Sequence, residues 1–463
     1  MSIASEYASY CATLEYEDLP EHVIDYTKRL IEDHIALAVG GAEYSPSAGA
    51  FIDGVQSLDE TPNNSGNATV LATGDRMSPA YASLLNGALS HSLDYDDTVL
   101  GGHVGAPVIA AALAAAEAAD ASGEDFLCSV VAGYEIMTRV LLAINRPVHY
   151  NRGFHPTATC GVFGATAAIG RAYRSETTVF ENAFGCNASQ VAGTNGYSIH
   201  GGWNKRIHPG LAAHSGMIAV KMAMAGFEGI DRPLEGKRNV FHAYTSDPNI
   251  PIATAGLGDQ YHLLETGLKP YPCGRRNHTA MDIAIELSTE HEISVDEITR
   301  INVEVSKQNV TDLATPVEHK THPKTLVDAQ FSMPFGIAVG IVRGDAGIET
   351  FIDEFEGGYS SEVQDIMDCI VVESNDNIFE DDALIDYHAR ITIESDTGTV
   401  TEGAARPTGE PEKPMSDEQR AEKFQQLTTT LTSSQQDEIR QGIEQLEDYS
   451  ITDLTSIFRS TNA

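Results

Sequence analysis

The chain has 463 residues, 42% of them hydrophobic, which is enough to bury a sizeable core and excludes wholesale disorder. It carries 29 lysine and arginine residues against 67 aspartate and glutamate residues, a formal net charge of −38. A surface this acidic argues against nucleic acids and anionic lipids as partners. The spread of the acid along the chain predicts adaptation to molar salt.

The cysteines and the N-terminus bear on metal chemistry and on the compartment. None of the six cysteines belongs to a C-x-x-C motif, which argues against a disulfide framework and against a zinc or iron–sulfur centre built on close thiolates. The first residues lack the basic and apolar segments of a secretory signal. Since no uninterrupted apolar run reaches about 18 residues, we predict a soluble, cytoplasmic protein.

Most of residues 1–264 predict helices. One helix starts with Pro20 in a first-turn position and is expected to end at Gly40–Gly41. The next has Ser78 as its N-cap and Pro79 at its first helical position. Later helices such as "VIAAALAAAEAA" are rich in small residues, which predicts close helix–helix packing.

The pattern changes near residue 265. Ile301, Val303 and Val305 alternate with polar residues, and Ile391 and Ile393 do the same before a "DTG" turn. Such alternation with a period of two predicts half-buried strands.

These elements predict a mainly α protein with a smaller α+β domain. Residues 1–264 would form a helical domain and residues 265–407 the α+β domain. Residues 408–463 would return as helices to the helical domain.

The first candidate site is "HSLDYDDTVLGGHVGAP", between two apolar helices. If the helix from Ser78 continues to Thr98, then His91, Asp94 and Thr98 share one face. Asp96 and Asp97 would point elsewhere, and Asp97 could cap the next helix.

The Gly101–Gly102 break would let His103 fold back towards that face. A solvated acidic helix end explains the same residues equally well. A further alternative is a site for Mg²⁺ or Mn²⁺ at His91, Asp94 and His103.

The second candidate is "YNRGFHPTATCG", which places His155 just before an apolar helix. A helix N-terminus lowers the pKa of an imidazole and keeps it neutral, so His155 could act as a base. A lone histidine is more often structural.

Two further segments concentrate cations in an otherwise acidic chain. The first, "SIHGGWNKRIHPG", contains His200, Trp203, Lys205, Arg206 and His208, and the second, "KPYPCGRRNH", contains Lys269, Arg275, Arg276 and His278. Lysine and arginine hold carboxylates, and histidine moves protons. A solvated charge run is the ordinary interpretation, but cations beside imidazoles indicate a small polycarboxylate substrate.

These motifs resemble the successive signatures of the MmgE/PrpD family. "LSHSLDYDDT", "GFHPTATCGVFGAT", "GGWNKRIHPGLAA", "KPYPCGRRNH" and "PTGEPEKPMSDEQRAEKF" occur in the family's order over most of the chain. The resemblance implies a large all-helical domain, a smaller α+β lid domain, a homodimer, and catalysis without a metal or an organic cofactor.

The resemblance also implies roles for individual residues. Asp94, Thr98 and His103 match the family's first active-site motif, and His155, Lys205 and Lys269 match the later ones. We predict catalytic roles for His103, His155, Asp94 and Lys205, and substrate-binding roles for Thr98, Arg206, Lys269, Arg275 and His208.

The family includes 2-methylcitrate dehydratases, cis-aconitate decarboxylases and an iminodisuccinate epimerase. This chain has "HVGAP" where the dehydratases tend to carry "HPSDN", and it has Gly274 and Phe335 where the decarboxylase has histidine and tyrosine. We predict first a cofactor-independent hydro-lyase that dehydrates 2-methylcitrate or a citrate-like acid. A decarboxylase, an epimerase, and a polycarboxylate-binding homologue without catalysis are the alternatives.

Overall fold

The fold is described from a computed structural model, which covers residues 1–61, 65–197, 202–290, 294–379 and 385–459. The chain divides into two compact units. Unit 1 comprises Met1–Thr266 and Leu427–Ala463, and unit 2 comprises Gly267–Gln426.

The chain returns to unit 1 at Leu427, whereas the sequence predicted the return at residue 408. Two hydrogen bonds hold residues 408–409 in unit 2. The Thr408 N–H donates to Asp282 Oδ2 (2.6 Å), and the Leu268 N–H donates to the Gly409 carbonyl (2.9 Å).

The described residues of unit 1 form helices and one short antiparallel pair of strands. Its helices are α1 (Ile3–Thr13), α2 (Glu21–Tyr44), α3 (Ala48–Gln56), α4 (Pro79–His91), α5 (Gly105–Ala119), α6 (Gly123–Ala143), α7 (Arg146–Asn151), α8 (Pro156–Ala172), α9 (Thr177–Asn187), α10 (Asn204–Met224) and α11 (Val240–Tyr244). The strands are β1 (Ala68–Thr69) and β2 (Arg76–Met77).

Unit 2 combines helices with a four-stranded sheet. Its helices are α12 (His278–Glu290), α13 (Lys307–Leu313), α14 (Val317–Thr321), α15 (Leu326–Gln330), α16 (Met333–Arg343), α17 (Ile348–Glu356), α18 (Ser361–Cys369) and α19 (Asp417–Leu427, whose last residue opens the second segment of unit 1). Unit 1 then ends with α20 (Ser433–Glu444) and α21 (Ile451–Arg459).

The sheet of unit 2 has the strand order β4-β3-β5-β6. Its strands are β3 (Ile298–Val305), β4 (Ile370–Ser374), β5 (Ala389–Ser395) and β6 (Gly398–Ala404). Strand β3 pairs parallel with β4 and antiparallel with β5, and β5 turns directly into β6. The alternating apolar residues of β3 and β5 are buried, so the prediction of a mainly α protein with an α+β part is confirmed.

Helix α6 forms part of the core of unit 1. Among the described residues it is the one helix long and apolar enough to cross a membrane, and 94% of its apolar stretch is buried inside the protein. Burial of this kind is expected of the central helix of a folded domain.

Helix α2 does not end at Gly40–Gly41, as its sequence predicted, but continues to Tyr44. A Cβ atom on Gly41 would lie 2.0 Å from the Leu89 carbonyl oxygen of α4. The glycines therefore permit close packing of α4 on α2 and do not end the helix.

A second close approach joins α4 to α10. A Cβ atom on Gly210 would lie 2.1 Å from the Leu84 carbonyl oxygen, and one on Gly87 would lie 3.1 Å from Gly210 Cα. The contact holds together the two helices that carry His91 and Lys205.

We expect the Gly210→Ala variant to be less stable than the parent protein. The added methyl group meets backbone, which cannot move aside as a side chain can, so the free energy of unfolding should fall by about 1–3 kcal/mol. Urea unfolding measures this. Gly54→Ala in α3 is the matched control, because nothing lies within 4 Å of its added Cβ atom. Equal stability of the two variants would contradict the packing argument.

Candidate active site

Helix α4 ends at His91, so the condition of a helix that continues to Thr98 is not met. Asp94 adopts a left-handed conformation with φ of 52°, which no helix continues through. The segment is nevertheless buried, with Asp94 5% and Asp96 2% exposed. This burial rules out the alternative of a solvated acidic helix end.

Asp97 anchors this buried loop. Its carboxylate accepts hydrogen bonds from the Gly105 N–H at the start of α5 (3.0 and 3.3 Å) and from the Tyr134 hydroxyl of α6 (2.8 Å). Asp97 thus satisfies the first N–H of α5, although Val104 and not Asp97 is the N-cap residue of this helix. Burial and the neighbouring Asp96 raise the pKa of Asp97 to about 7.

Asp96 lies between two histidines, whereas the sequence predicted that it would point away. Its Oδ2 is 2.8 Å from His91 Nδ1, and its Oδ1 is 3.1 Å from His103 Nδ1. Burial alone would raise the pKa of Asp96, but His103 and His91 hold it well below its usual range. Burial lowers the pKa of His103 to about 3. An ionised carboxylate beside the neutral imidazole of His103 results.

The same three side chains could hold a metal ion. Each of His91, Asp96 and His103 offers one ligand atom, and these atoms lie within 4.8 Å of one another. Two imidazoles and a carboxylate suit a first-row divalent metal. The set differs from the one considered from sequence, because Asp96 takes the place of Asp94.

Asp94 instead contacts a lysine. Its Oδ2 is 2.6 Å from Lys205 Nζ at the start of α10, and its Oδ1 is 3.8 Å from His103 Nε2. The structure thus brings together three of the four residues predicted to be catalytic.

His155, the fourth, is the N-cap residue of α8, as predicted. Its Nδ1 lies 2.8 Å from His208 Nδ1, and Tyr197 packs edge-on against its ring. Burial lowers the pKa of His155 well below its usual range, with smaller contributions from His208 and Lys205. Burial is thus the main cause that keeps this imidazole neutral.

The rings of His155 and His103 are 6.5 Å apart between centroids, and those of His155 and His91 are 6.1 Å apart. These groups form one assembly in unit 1, which is buried except for the half-buried Lys205. We call it the histidine–aspartate cluster, and its members are His91, Asp94, Asp96, His103, His155, Lys205 and His208.

Two other predicted substrate-binding residues belong to unit 1. Thr98 is buried, and its hydroxyl has no hydrogen-bond partner among the described residues. Arg206 donates from Nη1 to Ser45 Oγ and Ser47 Oγ, both at 3.0 Å. Its hydrogen bonds within the described part of the chain do not go to the cluster. His200 lies outside the described residues.

Lys269 and Arg275 belong to unit 2 and have partners there. Lys269 Nζ donates to the Cys273 carbonyl (3.1 Å), which His278 Nε2 also contacts at 3.2 Å. The Arg275 guanidinium donates to Glu410 (2.6 Å) and to the Leu268 carbonyl (2.9 Å). Their predicted role in substrate binding stays a prediction.

The two positions that depart from the decarboxylase pattern also lie in unit 2. Phe335 is fully buried and packs edge-on against Phe351, with ring centroids 5.1 Å apart. A Cβ atom on Gly274 would lie 3.1 Å from the Phe331 ring. Both positions are apolar packing sites.

The assignment of site residues from sequence missed Asp96 and Tyr197. Nothing in the local pattern distinguishes Asp96 from Asp97, because the turn of the backbone at Asp94 decides which of the two carboxylates faces the histidines. Tyr197 lies before α10 and belongs to no motif that indicates a functional role. The spacing between His91 and His103 in the sequence also does not predict that both contact the carboxylate of Asp96.

Comparison with known proteins places this arrangement in a family. The profile of the MmgE/PrpD N-terminal domain matches residues 5–253, and that of the MmgE/PrpD C-terminal domain matches residues 271–448. The chain belongs to the MmgE/PrpD family. Its expected family is thereby confirmed.

Several curated MmgE/PrpD-like proteins are similar over almost their whole length. A cis-aconitate decarboxylase from Aspergillus terreus is 25% identical, over 97% of this chain and 94% of its own. A cis-aconitate decarboxylase from Homo sapiens is 24% identical, over 99% of this chain and 95% of its own. A cis-aconitate decarboxylase-like protein from Aspergillus oryzae is 25% identical, over 94% of this chain and 92% of its own.

We expect His103 to make the stability of this MmgE/PrpD protein depend on pH. Its pKa is about 3 in the folded chain against an ordinary value of 6.5. Between these values the unfolded chain binds more protons, so the His103 contribution to the free energy of unfolding falls by about 1.4 kcal/mol per pH unit as the pH drops below 6.5.

The His103→Asn variant isolates this effect, because asparagine keeps an N–H near the Nδ1 position but takes up no proton. Urea unfolding of both proteins between about pH 7.5 and about pH 5 should show the stability gap moving against the parent protein as the pH falls. A gap that stays constant would show that His103 is not held neutral by burial.

Proposed function

We propose that this MmgE/PrpD protein is a lyase that acts on a small polycarboxylate by moving a proton at a carbon next to a carboxylate. The observation that carries the proposal is the histidine–aspartate cluster. It joins buried, neutral imidazoles to an Asp94–Lys205 pair, in a chain whose net charge of −38 makes cations scarce.

The neutral imidazoles supply the base. A base must be unprotonated at the working pH and within reach of the substrate proton. The ionised Asp96 favours hydrogen on His103 Nδ1, at 3.1 Å, which leaves the Nε2 lone pair available. Within the His155–His208 pair one Nδ1 carries the hydrogen and the other accepts it. His103 and His155 are therefore the candidates for base and acid.

The Asp94–Lys205 pair supplies charge. Removal of the proton leaves negative charge on the substrate carboxylate as an aci-carboxylate, and a half-buried ammonium stabilises that charge. Asp94 Oδ2, 2.6 Å from Lys205 Nζ, holds the ammonium in place before substrate binds.

Dehydration is the reaction that we place first. The C–H bond next to a carboxylate breaks and its proton goes to one imidazole. The electron pair then forms the alkene as the C–O bond breaks. The departing hydroxyl takes up the proton of the imidazolium just formed, relayed through the second imidazole or a water, so that it leaves as water and both imidazoles are neutral again. 2-Methylcitrate or a citrate-like acid fits this scheme, which needs no cofactor.

Decarboxylation of cis-aconitate is the second candidate, supported by the names of the relatives. Here a C–C bond breaks, carbon dioxide leaves, and the acid delivers a proton to the carbon skeleton. The decarboxylase pattern has histidine and tyrosine at the positions that Gly274 and Phe335 occupy in this chain. Neither glycine nor phenylalanine can move a proton, and we therefore place decarboxylation second.

Proton NMR of the protein in molar KCl with 2-methylcitrate, citrate, cis-aconitate and iminodisuccinate separates these reactions. We expect a new alkene signal from 2-methylcitrate or citrate without release of carbon dioxide. Itaconate would instead establish the decarboxylase, and inversion of iminodisuccinate the epimerase. Binding of an acid in calorimetry without turnover would indicate a homologue that has lost catalysis.

The same assay with a chelator tests cofactor independence. Turnover should be unchanged, because the proposed steps use only side chains. Loss of turnover that Mn²⁺ or Zn²⁺ restores would move His91, Asp96 and His103 from a proton-transfer role to a metal-binding role.

We expect His155→Ala and Lys205→Ala to reduce turnover by about 10²–10⁴-fold, since each removes a proton-transfer or charge-stabilising group. Lys221→Ala is the matched control, because Lys221 lies on the same helix α10 and packs over the Tyr173 ring, 3.7 Å from its centroid. Circular dichroism should be unchanged in all three variants. Near-normal turnover in either site variant would remove that residue from the mechanism.

A further inference from the structure

His208 of α10 contacts His155 through a hydrogen bond between like atoms of the two rings. The two Nδ1 atoms are 2.8 Å apart, and both side chains are buried. Among the described residues, this is the one hydrogen bond that either ring makes. The sequence predicted that His208 would bind substrate, whereas its contact is with an imidazole that we expect to move the substrate proton.

The surrounding residues hold the two rings in this relative position. The His155 N–H donates to the Gly193 carbonyl (3.0 Å), which fixes the backbone at the start of α8. Tyr197 packs edge-on against both rings, with centroid distances of 5.4 Å to His155 and 5.9 Å to His208. Rings that are packed in this way keep their rotamers, so the contact between the Nδ1 atoms is a lasting feature of the site.

Both rings are neutral, which decides how their hydrogens are distributed. Burial lowers the pKa of His155 well below its usual range. It lowers the pKa of His208 to about 4, and His91 and Lys205 add to the effect. A neutral imidazole carries one hydrogen, on either Nδ1 or Nε2. Two hydrogens or two lone pairs would repel each other across 2.8 Å, so one ring carries its hydrogen on Nδ1 and the other on Nε2.

We propose that His208 is a positioning residue, which accepts the Nδ1–H of His155 and so keeps the Nε2 lone pair of His155 available for the substrate proton. This role rests on the proposed lyase function and assigns the base of that reaction to His155. The opposite arrangement would place the hydrogen on His155 Nε2, which could then only donate. The hydrogen bond that one ring nitrogen makes decides the protonation of the other.

The same contact stabilises the charged form of His155 during the reaction. When Nε2 takes the substrate proton, the ring becomes an imidazolium, and its Nδ1–H donates to the neutral His208 Nδ1. A hydrogen bond from a charged donor is roughly twice as strong as one between neutral groups. The proton on Nε2 then passes to the departing hydroxyl, as in the proposed dehydration, and the neutral pair of rings is restored.

NMR of the full chain with ¹⁵N-labelled histidine tests the hydrogen bond without any substrate. A scalar coupling should join the two Nδ1 nuclei across the bond. The Nδ1 of His155 should have the chemical shift of a protonated ring nitrogen and that of His208 the shift of an unprotonated one. The variants His155→Gln and His208→Asn assign the signals, because each removes one ring. Absence of the coupling, or a hydrogen on His208 Nδ1, would overturn the proposal.

Two replacements of His208 with similar shapes separate positioning from packing and from substrate binding. Asparagine keeps an oxygen acceptor near the Nδ1 position, whereas leucine has none. With 2-methylcitrate, His208→Leu should lower kcat by about 10–100-fold, because the tautomer of His155 is no longer fixed. KM should change by less than about threefold, and His208→Asn should recover most of the loss in kcat.

His214→Leu is the matched control. His214 lies on the same helix α10 and packs against the Tyr81 ring, with centroids 5.5 Å apart, and it does not belong to the histidine–aspartate cluster. This variant should turn over 2-methylcitrate like the parent protein.

Two kinetic results would contradict the role of His208. An equal loss of kcat in His208→Leu and His208→Asn would show that packing alone explains the effect. A higher KM with unchanged kcat would show that His208 binds substrate. If neither variant folds, the coupling in the parent protein decides. Turnover without the coupling would contradict the role of His208 and not the lyase, whereas the coupling without turnover would contradict the lyase.

Discussion

The site depends on one carboxylate that makes no contact with substrate in our proposal. Asp97 fixes the loop after α4 by binding the first N–H of α5 and the hydroxyl of Tyr134. A loop of charged residues cannot lie in a helical core unless its polar groups find partners there. A Cβ atom on Gly105 would lie 2.6 Å from both Asp97 Oδ1 and Tyr134 Oη. These hydrogen bonds of Asp97 therefore require glycine at position 105.

Burial then sets the charge of each group in the cluster. Desolvation disfavours the charged imidazole, which lowers the pKa of His103 and His155. Asp96 stays ionised because two imidazole nitrogens lie against it. The result is a set of neutral bases beside fixed negative charges, with Lys205 as the opposing cation.

Adjacent residues of α10 serve different surroundings. Lys205 contacts Asp94 in the cluster, whereas Arg206 donates to Ser45 and Ser47. Consecutive side chains on a helix point about 100° apart, so Lys205 and Arg206 contact different groups. The close packing at Gly210 brings both to α4.

The sequence alone determined the class of fold, strands β3 and β5 of the smaller unit, and the family. Strong local patterns carry this information: Ser78 and Pro79 start α4, and the alternation in β3 and β5 follows from one buried face. It also singled out Asp94, His103, His155 and Lys205, which the tertiary structure brings into one assembly. Only that structure decided that α4 ends at His91, that Asp96 and not Asp94 joins the two histidines, and that Arg206 donates to Ser45 and Ser47 instead of the cluster. The physical reason is that these features depend on contacts between residues far apart in the chain, such as Asp97 with Tyr134 and Gly41 with Leu89. Local propensity does not encode such contacts.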